Sequence, residues 1–307
     1  MNDTATPAAI ASRRLPEKRW LVPLALLTVY VIWGSTYLGI RYALLGFSPF
    51  ALAALRFFCA GVVMYTWLRL RGAAAPTPRQ WRNAAITGVL LLMFGNGMVC
   101  FAEQSVPSGL AAVAIASEPL FVAVFLMAYR EWPSRIEVMG LVVGFIGVVL
   151  LNSGGALHAS PWAAAALLLA TAAWAFGSIW SRRQDMPDGP MNVAAQMLCA
   201  SVALAITAWL TGERLPAHPQ VSSVIALVYL AVFGSIIAFT AYLFLLRAVR
   251  PALSASYAYV NPPVAVLIGA LFAGEHVGVL EIVGMAVILV GVVVITLARA
   301  RPQPEVA

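Results

Sequence analysis

Apolar positions gather into long blocks with short polar connections between them, at roughly 21–43, 49–70, 82–102, 107–129, 135–152, 160–181, 190–211, 222–246, 252–273 and 279–298. A helix needs about 20 apolar residues to cross the hydrocarbon core of a bilayer. The pattern therefore predicts an all-α polytopic membrane protein with ten transmembrane helices. Almost nothing of the 307 residues is left for a soluble domain.

Composition agrees: 62% of the residues are hydrophobic and 10% charged, too little polar surface to cover a water-soluble globule of this size. The charge that remains is placed unevenly. Sixteen of the nineteen basic residues fall in the N-terminal tail, in alternate connections and at the C-terminal end: Arg13, Arg14, Lys18, Arg19; Arg69, Arg71, Arg79, Arg82; Arg130, Arg135; Arg182, Arg183; Arg247, Arg250; Arg299, Arg301. The opposite connections hold only Arg41 and Arg214, and Arg56 lies within the second span. Lys and Arg accumulate in short loops that stay cytoplasmic, so both termini are expected in the cytoplasm. Topology accounts for the net charge of +7, and no nucleic-acid surface is implied.

The run from Leu21 to Leu45 is too long for the apolar core of a signal peptide and lacks a small-residue cleavage site, so it is read as the first span. Residues 1–19 and 300–307 read as cytoplasmic tails, the first of them disordered. Cys59, Cys100 and Cys199 all lie inside spans without C-x-x-C spacing, and are expected as core residues, neither disulfides nor metal ligands.

The ten spans form an internal duplication. VPSGLAAVAIASEPL from Val106 resembles VRPALSASYAYVNPP from Val249 when Pro119 and Pro262 are superposed. Glu137 to Gly140 with Gly147 then meets Glu281 to Gly284 with Gly291, Trp33-Gly34-Ser35 faces Phe176-Gly177-Ser178, and Phe94-Gly95 faces Phe233-Gly234. A repeat of five spans enters the membrane from opposite sides in its two copies, which predicts two inverted five-helix repeats, 20–155 and 156–299, the architecture of alternating-access carriers.

These residues also carry a family resemblance. IWGSTYLGIRYAL in the first span, ALRFFCAG in the second, FGNGMVCFAEQSVPSGLAA across the third and fourth, LNSGG, AWAFGS, FGSIIA and SYAYVNP together resemble the EamA family of drug/metabolite transporters, most closely its YedA-like inner-membrane branch. The resemblance covers essentially residues 20–300. It implies a ten-helix exporter in a bacterial-type inner membrane, a central cavity between the halves, and small metabolites such as amino acids as the commonest substrates.

Polar or interrupted sites at mid-depth are the candidates for function, because an unsatisfied group there costs several kcal/mol. Glu118 is the sharpest: it lies about eleven residues into the fourth span beside Pro119, which frees a carbonyl and kinks the helix. It reads either as a proton or cation site or as the partner of Arg56 in a neutralised helix clamp. Asn261, followed by Pro262 and Pro263, is its counterpart in the ninth span, and paired broken helices point at a binding site. The alternative for the Pro-Pro pair is close helix crossing. Tyr257 lies one turn before Asn261 on the same face. Trp33 with Tyr37, and Trp174 with Ser178, give the first and sixth spans an aromatic and polar stripe each, fit for a cavity wall or for ordinary packing. Asn96 between Gly95 and Gly97 is a ligand contact or an interhelical bond. Glu103 and Gln104 read as interfacial residues, and Gly140, Gly144, Gly147, Gly284 and Gly291 as close-packing scaffold or dimer contacts.

Enzyme chemistry finds little support. His158, His218 and His276 fall in three different outer loops, and no carboxylate cluster, G-x-S-x-G, metal-ligand spacing or phosphate-binding G-x-x-x-x-G-K-[ST] occurs. The expected function is secondary export of small metabolites by alternating access without a cofactor, with Glu118 as the candidate for proton coupling. Arg56 would balance Glu118 or hold an anionic group. A passive facilitator or channel, or a lipid-carrier flippase, is the alternative, and the state is monomer or homodimer.

Overall fold

The computed structural model describes residues 20–105, 111, 114–152, 161–273 and 278–298. The tails expected at 1–19 and 300–307, the junction expected at 155–156, and His158 and His276 lie outside the described residues. Among the described residues the fold is all-helical: α1 Leu21–Ala43, α2 Pro49–Leu70, α3 Pro78–Ala102, α4 Glu118–Ala128, α5 Arg135–Asn152, α6 Pro161–Ser181, α7 Gly189–Leu210, α8 Val221–Ala248, α9 Tyr257–Ala273 and α10 Val279–Ala298.

Six of these helices, α1, α2, α3, α6, α7 and α8, are long and apolar enough to cross a membrane unaided, whereas Glu118–Ala128 and Ile282–Val294 are shorter apolar stretches. Two of the ten expected spans, the fourth and the ninth, are interrupted. The predicted fourth span, 107–129, turns at Ala116 and Ser117 before α4 begins, and the predicted ninth span, 252–273, turns at Ala255 and Ser256 between a helical turn at Pro251–Ser254 and α9. The third span starts at Pro78, earlier than expected, because Thr77 and Gln80 form a reciprocal capping box ahead of the apolar run.

Large apolar side chains remain exposed along the outer faces, among them Leu24 and Leu27 of α1, Phe58 and Val63 of α2, and Ile225 and Val228 of α8. That surface suits lipid, and water would reject it. The inner faces pair in a reciprocal pattern. α1 packs on α8 and α9 while α6 packs on α3 and α4; α2 packs on α7, and α5 packs on α10.

The α5–α10 contact depends on glycine. A Cβ at Gly291 would stand 2.6 Å from the Gly144 backbone nitrogen, and one at Gly147 2.6 Å from that of Ile288. The glycine faces expected to serve as scaffold or dimer contacts are therefore used within this chain. Tyr259 of α9 closes the same layer, donating its hydroxyl to the Leu141 carbonyl at 3.0 Å.

Candidate functional site

Near the middle of the bundle α3 and α8 both widen into π-helical segments, Val89–Gly97 and Leu230–Ile237. Such segments close their backbone hydrogen bonds over five residues, where an α-helix spans four, and are frequent at functional sites. Phe94-Gly95-Asn96 lies in the first and Phe233-Gly234-Ser235 in the second. The two glycines admit neighbours that any side chain would exclude. A Cβ at Gly95 would meet Trp174 Cε3 at 2.4 Å, and one at Gly234 would meet Arg56 Nη2 at 2.7 Å. The Gly234 carbonyl accepts a hydrogen bond from Trp33 Nε1 at 3.1 Å.

Arg56 of α2 bridges both segments. Its Nε donates to Ser235 Oγ at 2.7 Å, its Nη1 donates to Asn96 Oδ1 at 3.4 Å, and its guanidinium lies 5.0 Å from the Phe57 ring centroid. Only 3% of Arg56 is exposed. Those bonds engage two of its five N–H donors, and both partners are neutral. Among the described residues the ion pairs within 4 Å are Arg183 with Glu131 and Arg250 with Glu137. The alternative in which Glu118 and Arg56 clamp the bundle as an ion pair is thus not what the structure holds.

Glu118 is 1% exposed, and among the described residues neither carboxylate oxygen has a hydrogen-bond partner. It occupies the first turn of α4, where orphan N–H groups and the helix dipole favour an acid. Pro119 follows at a position whose N–H would be unpaired in any helix. The paired breaks are therefore not symmetric. Pro119 stands just after an interruption, whereas Pro262 and Pro263 lie inside α9, six residues and more beyond the turn at Ser256. A helix that has already formed its first turn tolerates the pair as a kink, at the cost of two backbone donors.

Arg56 and Glu118 line one cavity of about 80 Å³ with Trp33, Tyr37, Asn96, Trp174, Tyr257 and Asn261. Ser178, the ninth residue expected at the site, lies outside it. Its hydroxyl pairs with Tyr242 at 2.6 Å instead. Asn261 also holds the bundle together. With its amide oriented to suit its neighbours, Nδ2 donates to the carbonyls of Tyr30 at 3.2 Å and Tyr257 at 3.1 Å, tying α9 to α1.

Four rings from four helices cluster beside the cavity, and Trp33, Trp174 and Tyr257 line it. Trp33 lies 5.4 Å from Trp174, 4.8 Å from Tyr257 and 5.1 Å from Tyr242, and Tyr242 lies 5.5 Å from both Trp174 and Tyr257. Trp174 Nε1 donates to the Tyr242 hydroxyl at 2.9 Å. Edge-on aromatic pairs contribute about 0.5–1.5 kcal/mol each beyond the area they bury. The cluster draws on both halves of the chain.

Sequence reasoning missed Tyr242, Ser235, Thr36 and Thr171. Ser235 had a signal, since the Phe-Gly match of the duplication sets it opposite Asn96. Tyr242 had none, being one aromatic in an apolar helix. Thr36 and Thr171 line the cavity while their hydroxyls bond back to Trp33 and Leu167 carbonyls, at 2.6 and 2.7 Å.

Comparison with known proteins sets this geometry among transporters. The model of the EamA-like transporter family matches residues 20–153 and again 161–297. The Escherichia coli K12 protein named uncharacterized inner membrane transporter YedA is 45% identical over 284 residues, 92% of this chain and 93% of its own. Protein PecM of Dickeya dadantii is 26% identical over 268 residues, 86% of this chain and 88% of its own. A crystal structure superposes with a TM-score of 0.75 over 93% of this chain and 100% of its own at 22% identity, a likeness of fold.

Proposed function

From the premise that this chain belongs to the EamA-like transporter family and is a multi-pass membrane transporter, we propose that it exports small zwitterionic metabolites, amino acids foremost, from the cytoplasm by alternating access, coupled to protons through Glu118. One observation carries the substrate class. Among the described residues, a buried guanidinium that places two of its N–H donors on neutral partners and a buried carboxyl without a hydrogen-bond partner face the same small cavity and do not pair with each other.

A buried charge is stable only when paired or hydrogen-bonded. A solute carrying a carboxylate for Arg56 and an ammonium for Glu118 satisfies both at once. The Trp33, Trp174 and Tyr257 rings then wall its apolar part. Arg56 presents the planar fork that a carboxylate accepts in two parallel bonds.

Alternating access needs two comparable halves. The reciprocal packing of α1 on α8 and α9 and of α6 on α3 and α4, with two matches of the family model, supports two inverted five-helix units. The excess of arginine in alternate connections supports cytoplasmic termini. On that orientation the aromatic cluster closes the cytoplasmic side, and substrate arriving from within must part Trp33, Trp174, Tyr242 and Tyr257.

The test is flux of a radiolabelled amino-acid panel in proteoliposomes, with and without an imposed proton gradient. Saturable, gradient-driven accumulation that Glu118→Gln abolishes while exchange of labelled for unlabelled solute persists is the expected result. Flux indifferent to the gradient would make the protein a facilitator, and no flux of any amino acid would remove the zwitterion reading.

A further inference from the structure

A carrier coupled through the buried Glu118 carboxyl must let a proton reach it, and the structure offers a route that bypasses the substrate cavity. Below Glu118 lies a separate slot of about 10 Å³, lined by Glu118 itself and by Val122, Ser178, Arg182, Tyr242 and Ser254, with Pro251 and Ala255. That is the volume a single water requires. Its far end shares Val122, Arg182 and Pro251 with a basin of about 660 Å³, lined by Glu131, Glu137, Arg247 and Arg250 among others. Glu118 lines both the cavity and the slot. Tyr242, Ser178 and Arg182 line the slot and are absent from the cavity wall.

We propose that Glu118 exchanges its proton with the arginine-bearing side of the membrane through this one-water slot, while substrate occupies the cavity on the other side of the same carboxyl. The inference rests on the proposed role of Glu118 in coupling, and it assigns that proton a path of its own. On unloading, the Glu118 carboxyl gives its proton to a water in the slot, which passes a proton toward the basin and leaves it there as hydronium. Loading reverses each transfer, so no proton is lost or gained within the protein. The Ser178, Tyr242 and Ser254 hydroxyls both donate and accept, and so can steady such a water. Ser178 and Tyr242 are already bonded to each other at 2.6 Å.

The charged and titratable groups around Glu118 fit this path. Tyr257 of α9 and Arg56 of α2 share its cavity, Tyr242 of α8 shares its slot, Tyr259 of α9 lies within electrostatic reach of it, and Arg182 at the end of α6 lines both the slot and the basin. A fixed cation at a neck this narrow bars metal cations. Glu131 and Glu137 of the basin wall pair with Arg183 and with Arg250, the latter at 2.8 Å, so both carboxylates there are matched by a cation.

The test reads the carboxyl and needs no transport substrate. In reconstituted protein perfused over an infrared cell, the carbonyl band of protonated Glu118 is the band that Glu118→Gln removes, and its shift on changing H₂O for D₂O times proton access. Ala255→Val and Ser254→Val fill the slot, and Val99→Trp, at a residue of the cavity wall, fills the cavity. Slowing of the deuteration by about tenfold or more in both slot variants, with none in the cavity variant, is the expected result. Slowing only in the cavity variant, or in none, would overturn the path, as would the absence of a Glu118 carboxyl band from acid to alkaline buffer. Amide bands that match those of the unaltered protein certify that each variant has folded. A gradient-independent flux in the unaltered protein would refute coupling, whereas an unslowed slot variant would refute the route alone.

Discussion

Gly95→Ala tests whether the cavity's shape depends on a glycine in the π-helical turn. A methyl at Gly95 would stand 2.4 Å from Trp174 Cε3 and 3.3 Å from Cζ3, so the indole must retreat by about an ångström to reach van der Waals contact. It has little room to do so. Trp33, Tyr242 and Phe239 surround it with ring centroids at 5.4, 5.5 and 6.2 Å, and Nε1 is bonded to the Tyr242 hydroxyl. Overpacking a filled site costs about 1–3 kcal/mol, and loosening those contacts places this one toward the top of the range. Relief of glycine's conformational entropy in a helix returns about 0.5–1 kcal/mol. Overpacking wins, and the net loss is about 1–2.5 kcal/mol. Equilibrium unfolding in mixed micelles reads it directly, and transport should fall because the displaced ring enters a cavity of only about 80 Å³. Trp174→Phe removes the offending atoms, so Gly95→Ala should cost little in that background, a coupling that a double-mutant cycle measures. An equal cost in both backgrounds would refute the steric account.

Arg56→Lys keeps the charge but cannot reach Ser235 and Asn96 together while offering a fork to substrate; an increase in KM of about tenfold or more with little change in maximal rate is expected, and unchanged KM would remove Arg56 from the binding site. Tyr242→Phe leaves the Trp174 indole N–H without its acceptor and should cost about 0.6–2 kcal/mol in micellar unfolding, near what interhelical hydrogen bonds contribute in membranes. Glu137→Gln keeps the reciprocal cap with Ser134 but loses the ion pair to Arg250, whereas Glu137→Ala loses the ion pair and also the half of the cap in which the side chain accepts from the Ser134 N–H; the Ala variant should be less stable than the Gln variant by about 1 kcal/mol, and equal stabilities would show that this side-chain bond contributes nothing.

The sequence alone determined the helical class, most helix boundaries and the duplication, and eight of the nine residues it singled out for the candidate site line the cavity. Those features follow from local rules: span length is set by bilayer thickness, and polar residues at mid-depth are expensive wherever they occur. The cavity lining was legible because in an apolar chain each polar residue inside a span stands out against its neighbours. Three-dimensional packing decided the rest. Whether Pro262 breaks α9 or only bends it depends on where the preceding turn falls, and that turn is at Ser256. Whether Glu118 pairs with Arg56 depends on side-chain reach across the bundle, and Arg56 spends its near donors on Ser235 and Asn96. Tyr242 became part of the cluster only because α8 carries it against Trp33, Trp174 and Tyr257. A hydrophobic pattern states which residues leave water, but contacts between helices distant in sequence state which of them meet, and that information resides in shape.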